Sequence, residues 1–594
     1  MTFSKKHTAI PLSLILICII ARGFLLYSMS IAPLAAFCKE LAMDSLTDNP
    51  LELHYTIAYP EEMGLENLST NLVPFHAESY TQSEALWNKR AETLNKIPPA
   101  RLKEEDIFLY DLLSSYVNLQ CESLKFPYYE NPLSCSGGVH SQLPILLSEY
   151  TFRNKEDVEK YFLLLSQIPA YLEGIAEYAK AQELNGIYIY QGSLEEVQMQ
   201  CLELFPEDQL KNNTHFLQTG FHERMQTLIS DGIITDKEAA DYEVRNNNLL
   251  TGKLAPAYEA LAASVKMLKG TPQLAGLSAY PKGKDYYEFL LSANTGSAKS
   301  VKEIQSMLYE RYDALYAQYN SLLKNGTVVQ NWNFPIKEHS DMLEHLHVQT
   351  QKHFPALNLI SEGVSQHVQL KNVDGILCDM SAPAFYMTPP IDANDEHTIY
   401  INPDAELQSL DLYTTLAHEG FPGHLYQTVY SQNVLTKEHA PLIRQLLYYG
   451  GFVEGWAVYA ELYSFHFLMD LCDETLVDTL ELTRLNREIQ LCLCGILDIF
   501  IHYEGASLQD VKQLLKTLGL NTSSAQTIYE AICDAPTNYP KYYVGYLEFL
   551  ELKESAKEFW GEHYSDYTFH QWILETGPAD FGSIKKKLAT TPAP

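Results

Sequence analysis

EDVEKYFLLLSQIPAYLEGIAEYAKAQEL, residues 156–184, is the stretch that sets the fold class. Val158, Tyr161, Phe162, Leu165, Ile168, Leu172, Ile175 and Tyr178 follow one another mostly at intervals of three and four. A helix turns by about 100° per residue, so this spacing collects the apolar side chains on one face. The same period returns at 236–268, 300–323, 408–430, 441–469, 475–503, 508–517 and 543–558. Strand patterns are scarce. HTIYIN at 397–402 comes after the turn-rich segment 389–396, and 384–388 is a second candidate. The sequence predicts a mainly α, large helical protein with a small antiparallel β-sheet.

At 594 residues the chain is long enough for about two to four folding units. Its 46% hydrophobic and 12% aromatic content is that of a globular protein. The formal charge of −33 excludes a nucleic-acid partner, because phosphate binding needs clustered Lys and Arg. The Lys run at 585–587 is short and near the end of the chain, which suits a solvated tail. The start differs from the rest. Lys5, Lys6 and His7 precede an apolar run over 10–20, Arg22 interrupts it, and apolar sequence resumes over 23–37. A basic start leading into an apolar stretch predicts export, as a signal peptide or an N-terminal membrane anchor over residues 1–45. Cys38 offers lipid attachment as a third mode, although the bulky Phe37 before it suits that processing poorly. Secretion and anchoring to the outer face of the cytoplasmic membrane are both compatible with this pattern. Behind the segment we place an N-terminal helical region over 46–300 and a catalytic region over 301–594, with a soft boundary between them. Among the cysteines no pair has zinc-ribbon spacing, and buried thiols are expected. Oligomeric state leaves no mark in the sequence.

LAHEGFPGHLYQ, residues 416–427, carries the chemistry. His418-Glu419 opens like the zinc pattern H-E-x-x-H, in which two histidines four apart lie about 40° from each other around a helix. Here the fourth position is Pro422, and the next histidine, His424, is six residues on, about 120° around an ideal helix. Pro422 removes a backbone donor and Gly423 relaxes steric limits. A two-residue bulge would therefore bring His424 back toward His418. Further along, Glu454 and Glu461 lie seven apart and share a helix face with Phe452, Trp456, Val458 and Tyr459, where an unpaired carboxylate is costly. A metal relieves that cost, as does solvent or a neighbouring Lys or Arg. Asp498 and His502, four apart in an apolar helix, suit a mutual hydrogen bond, a role behind a metal ligand, or a satisfied core histidine.

These residues resemble the bacterial DUF885 family, which is regarded as related to zinc peptidases of the gluzincin type. The family pattern H-E-x-x-P-G-H with a Gln three residues on is matched by His418, Glu419, Pro422, Gly423, His424 and Gln427. Its E-G-W-A segment is matched from Glu454 to Ala457, its D-x-x-x-H helix by Asp498 and His502, and its P-x5-Y-x2-G pattern by Pro536, Tyr542 and Gly545. Segment 383–402 looks like the family's approach to an edge strand, and His54-Tyr-Thr also resembles it. Leu425 departs from many members, which have a second histidine there; its presence points the assignment to His424.

Pattern and resemblance together lead us to expect Zn²⁺ held by His418, His424 and Glu454, with a position left for water. Glu419 would be the general base, and Tyr542 or His502 would donate to the oxyanion. Asp498 and Glu461 would stand behind the ligands. Thr398, Ile399, Tyr400, Ile401 and Asn402 would hold an extended peptide substrate by backbone pairing, in a sheet beside the active-site helix. Two other classes stay open: an exported binding or structural protein with a vestigial metal site, and a zinc hydrolase of non-peptide amides or esters. A serine hydrolase is disfavoured, since the sequence has no G-x-S-x-G elbow.

Overall fold

The apolar stripe of residues 156–184 becomes the helix Lys155–Leu184, in which all eight stripe residues are buried. Asn154 opens it, its side chain accepting a hydrogen bond from the Asp157 amide at 3.0 Å. Such a cap satisfies a donor that the first turn leaves without a partner. The computed structural model describes residues 31–591 except 48, 66–67, 69, 74–78, 325–331, 358–366, 406 and 473. Residues 1–30 of the expected export segment therefore lie outside the described residues. The remainder of that segment enters the helix Ala32–Thr47, whose Leu34, Phe37, Cys38, Leu41 and Ala42 are buried in the main core. Among the described residues no helix is long and apolar enough to cross a membrane.

Two large clusters of buried side chains organise the chain. The first joins residues between 34 and 126 to residues between 277 and 588. The second gathers residues between 51 and 265 and takes in Val373, Leu377, Cys378 and Tyr400. A three-stranded sheet lies between them: β1 (Val368–Asn372), β2 (Ala384–Met387) and β3 (His397–Ile401), in the order β1-β3-β2. Successive side chains of a strand point to opposite faces, so Ile399 and Ile401 enter the first cluster while Tyr400 enters the second.

The sheet corrects two expectations. It is mixed and not antiparallel, because β1 runs parallel to β3 while β2 runs antiparallel to it. And β3 is the central strand, with Ile399 facing Leu370 on one side and Tyr386 on the other. Its backbone is engaged on both edges over Thr398, Ile399, Tyr400 and Ile401, and Asn402 gives its backbone N–H to the Pro383 carbonyl at 2.9 Å while its own carbonyl accepts the Ala405 N–H at 3.3 Å. None of the five is free to pair with a substrate. The edge strand is β2.

Five helices of the C-terminal half build the site: α1 (Ser409–Glu419), α2 (His424–Lys437), α3 (Gly450–Ser464), α4 (Glu474–His502) and α5 (Asn538–Trp560). The period expected over 408–430 is thus two helices and not one. α3 and α5 cross at glycines: a Cβ on Gly455 would stand 2.3 Å from the Gly545 carbonyl carbon, and one on Gly545 2.2 Å from the Gly451 oxygen. Only hydrogen fits there, and this close approach accompanies the placing of Tyr542 of α5 beside His418 of α1.

Candidate metal centre

α1 ends at Glu419, and α2 begins at His424. The four residues between them leave helical geometry, with ψ of −99° at Gly420 and −133° at Gly423. Instead of the expected bulge within one helix, the chain stops and starts again. Pro422 has no amide to continue α1, and its carbonyl accepts the Trp456 indole N–H at 2.8 Å, which pins the break to α3. Gly423 passes so close to α1 that a Cβ would stand 1.8 Å from the His418 carbonyl oxygen. The two imidazoles consequently face each other with ring centres 4.8 Å apart and planes at 86°.

Three carboxylates surround them. Glu454 Oε2 lies 3.3 Å from His424 Nε2 and 3.6 Å from His418 Nε2. Glu419 Oε1 lies 4.0 Å from His418 Nε2, while its Oε2 accepts the Tyr386 backbone N–H of β2 at 2.9 Å. Glu461 Oε2 meets the other ring nitrogen, His418 Nδ1, at 3.2 Å, and Glu461 Oε1 accepts from Arg487 Nε at 2.7 Å. His418, Glu419 and His424 can offer ligand atoms that all lie within 4.8 Å of one another, a group able to hold a metal ion. The donor set of imidazole nitrogens and carboxylate oxygens suits Zn²⁺. Glu454 Oε2 and His424 Nδ1 are buried with no hydrogen-bond partner among the described residues. An orphaned buried carboxylate oxygen between two imidazoles is what a cation would satisfy.

The electrostatics agree with a cation-seeking centre. Burial opposes a charge on His418, but Glu454, Glu461 and Glu419 outweigh it and push the imidazole up to about 10. Burial likewise opposes the charge on Glu461, yet Arg487 and His418 hold it down to about 2. Glu454 is well below the usual carboxylate range, since His418, His424 and Lys541 overcome its burial. Tyr542 stacks 6.0 Å from the His418 ring, and burial, reinforced by Glu454 and Glu419, keeps its phenol protonated.

Two expected residues are elsewhere. His502 accepts the Leu277 N–H through Nδ1 at 3.1 Å and donates from Nε2 to the Ile532 carbonyl at 2.9 Å. Both ring nitrogens are committed to backbone, so His502 is a satisfied core histidine and is withdrawn as an oxyanion donor. Asp498 accepts from the Tyr287 hydroxyl at 2.7 Å and from the Thr537 amide at 3.0 Å. It holds the start of α5, not a ligand. Glu461 is brought to His418, at the ring nitrogen turned away from Glu454. Sequence reasoning missed the Tyr386 amide, Arg487 and Lys541, whose Nζ lies 3.6 Å from Glu454 Oε1. Only Lys541 had a signal, as the neighbour of Tyr542. A partner that fixes a ligand's orientation commonly matters about 10- to 100-fold for metal affinity. Arg487→Met is accordingly expected to weaken metal binding by about 10-fold or more, measured by competition with a metal-binding dye; an unchanged affinity would mean that Glu461 needs no help in orienting His418.

Among the solved structures that share this fold are two described as lipoproteins. One, described as a "putative lipoprotein" from Colwellia psychrerythraea, superimposes with a TM-score of 0.79 at 17% identity, covering 94% of this chain and 98% of that one. The other, described as a "putative lipoprotein of unknown function" from Shewanella oneidensis, gives a TM-score of 0.61 at 16% identity, covering 94% and 99%. No curated protein matches the chain. A family model described as bacterial protein of unknown function matches residues 60–587, nearly the whole of the body that carries these helices. The chain belongs to that family, DUF885.

Proposed function

We propose that the chain is a zinc-dependent peptidase acting outside the cytoplasmic membrane, with His418, His424 and Glu454 as ligands and Glu419 as general base. The observation that carries this reading is the position of Glu454 Oε2: buried, without a hydrogen bond among the described residues, and 3.3 and 3.6 Å from the two imidazole Nε2 atoms. Glu419 is also near enough to be a ligand, but its Oε2 is tied to the Tyr386 amide. That tether favours Glu454 as the third ligand and leaves Glu419 beside the centre with one oxygen in hand.

Zn²⁺ there would supply Lewis-acid activation of a water and of the substrate carbonyl. Glu419 Oε1 takes the proton of the attacking water and passes it to the leaving amine. The Tyr542 hydroxyl, kept protonated by its surroundings, donates to the carbonyl oxygen as it becomes negative. The substrate backbone lies along the outer edge of β2, the strand that already directs the Tyr386 amide at Glu419. Export is supported by Lys5 and Lys6 before the apolar run 10–20. An envelope address also agrees with the lipoprotein description of the two similar structures.

The purified chain is expected to carry stoichiometric zinc and to cleave members of a peptide library, with cleavage stopped by a chelator and restored by zinc. Cleavage indifferent to the chelator would end the metal mechanism. A metal-loaded chain that hydrolyses only non-peptide esters or amides would replace the substrate class.

A further inference from the structure

We propose that Lys541 selects substrates that carry a carboxylate close to the bond being cut; this rests on the peptidase function proposed for the metal centre. Lys541 stands in the first turn of α5, directly before Tyr542. Its Nζ is 3.6 Å from Glu454 Oε1 and 5.0 Å from the centre of the Tyr542 ring. The first distance is too long for a hydrogen bond. An ammonium has three donors and no acceptor, and among the described residues these donors have only the loose ion pair and the ring face. The Lys541 side chain is 21% exposed, against 11% for Glu454, so it keeps more contact with solvent than the carboxylate beside it.

The surroundings are built to admit it. Gly450, the first residue of α3, has no Cβ, and one there would stand 2.9 Å from Lys541 Cδ and 3.0 Å from the Asn294 carbonyl oxygen. Asn294 in turn donates to Thr537 Oγ1 at 2.7 Å and so fixes the residue from which α5 begins. Of the two cations at the centre, Arg487 is bonded at 2.7 Å to Glu461, which meets His418 on its Nδ1 side, whereas Lys541 stands beside Glu454, on the Nε2 side that faces His424. Three carboxylates, Glu419, Glu454 and Glu461, would repel an anionic substrate. With a divalent ion in place the two cations tip the group to one positive charge, and without Lys541 that excess is gone. Lys541 and the two imidazoles address opposite oxygens of the same carboxylate, so a substrate anion on Lys541 would lie within about a residue's length of the polarised carbonyl. A free C-terminal carboxylate and an acidic side chain share this chemistry.

The test uses the zinc-loaded full chain carrying Glu419→Gln and measures equilibrium binding of four peptides. They end in a carboxylate or an amide, and carry Glu or Gln beside the bond to be cut. The expected preference for a carboxylate peptide over its neutral counterpart is about 10-fold or more, the usual worth of a hydrogen bond to a charged group. Lys541→Met should erase the preference, whereas Lys541→Arg should keep most of it. A preference set by the terminus assigns the carboxylate to the chain end, and one set by Glu assigns it to a side chain. Equal binding of all four peptides, or a preference that survives Lys541→Met, overturns the proposal. Absence of turnover by the unsubstituted chain, with the binding preference intact, would instead remove the peptidase reading and leave Lys541 as a carboxylate-binding residue.

Discussion

Glu419→Gln is expected to keep the metal and to lose peptide hydrolysis by about 10³-fold or more, the upper range for removing a positioned general base. The amide retains a carbonyl oxygen that can accept the Tyr386 N–H now bonded at 2.9 Å, so the side chain stays in place while its capacity to take a proton disappears. Metal analysis and kcat on the best library peptide measure the two halves separately. Undiminished activity would refute the assignment of the base. Loss of the metal would show that Glu419 is itself a ligand, as its nearness to His418 and His424 permits. Glu454→Gln provides the opposite pattern: its Oε2 lies between the two imidazoles with no hydrogen bond of its own among the described residues, and metal should go before chemistry is reached.

Gly423→Ala should be as damaging without touching a single reactive atom. The added methyl would lie 1.8 Å from the His418 carbonyl oxygen and 2.4 Å from that of Ala417. Both are backbone atoms inside α1, so neither can swing aside as a side-chain tip would. The break between α1 and α2 must open, and His424 must move away from His418. Overpacking of a rigid site typically costs about 1–3 kcal/mol; here the loss of the bound ion adds to it, because a ligand that binds only the native state stabilises that state. The expected result is a lowered Tm together with a large fall in zinc content. A variant with normal melting and full zinc would mean that the break tolerates what its geometry forbids.

The helices were legible because their signal is local. Val158, Tyr161 and Phe162 announce their face within a few residues, and the prediction over 156–184 ends within a residue of the helix found. The interruption at 420–423 was only half legible. Pro422 and Gly423 signalled a departure from regular helix, but its extent depends on the Trp456 indole and on the packing of Gly423 against α1, contacts that no stretch of one helix contains. The sheet was misread for a similar reason. β1 is VQLKN, with only its first residue buried, and so gives little alternation to detect; without it β3 looks like an edge. At the site, the gathering of His418, Glu419, His424 and Glu454 could be expected because motif residues advertise themselves. Glu461 was legible too, seven residues from Glu454 on the same face. His502 was not separable from a functional histidine by spacing, since its two bonds run to the carbonyl of Ile532 and the amide of Leu277, far off in sequence. Arg487 comes from another helix and left no trace in the pattern.

The bond from Tyr386 to Glu419 has one more implication. Under the proposed function, proton acceptor and peptide cradle would be mechanically a single piece, because the amide that steadies the carboxylate belongs to the rail on which the guest chain would lie. A guest that seats badly and tugs that rail would also misdirect the acceptor, so poor fit would be punished in turnover as well as in grip.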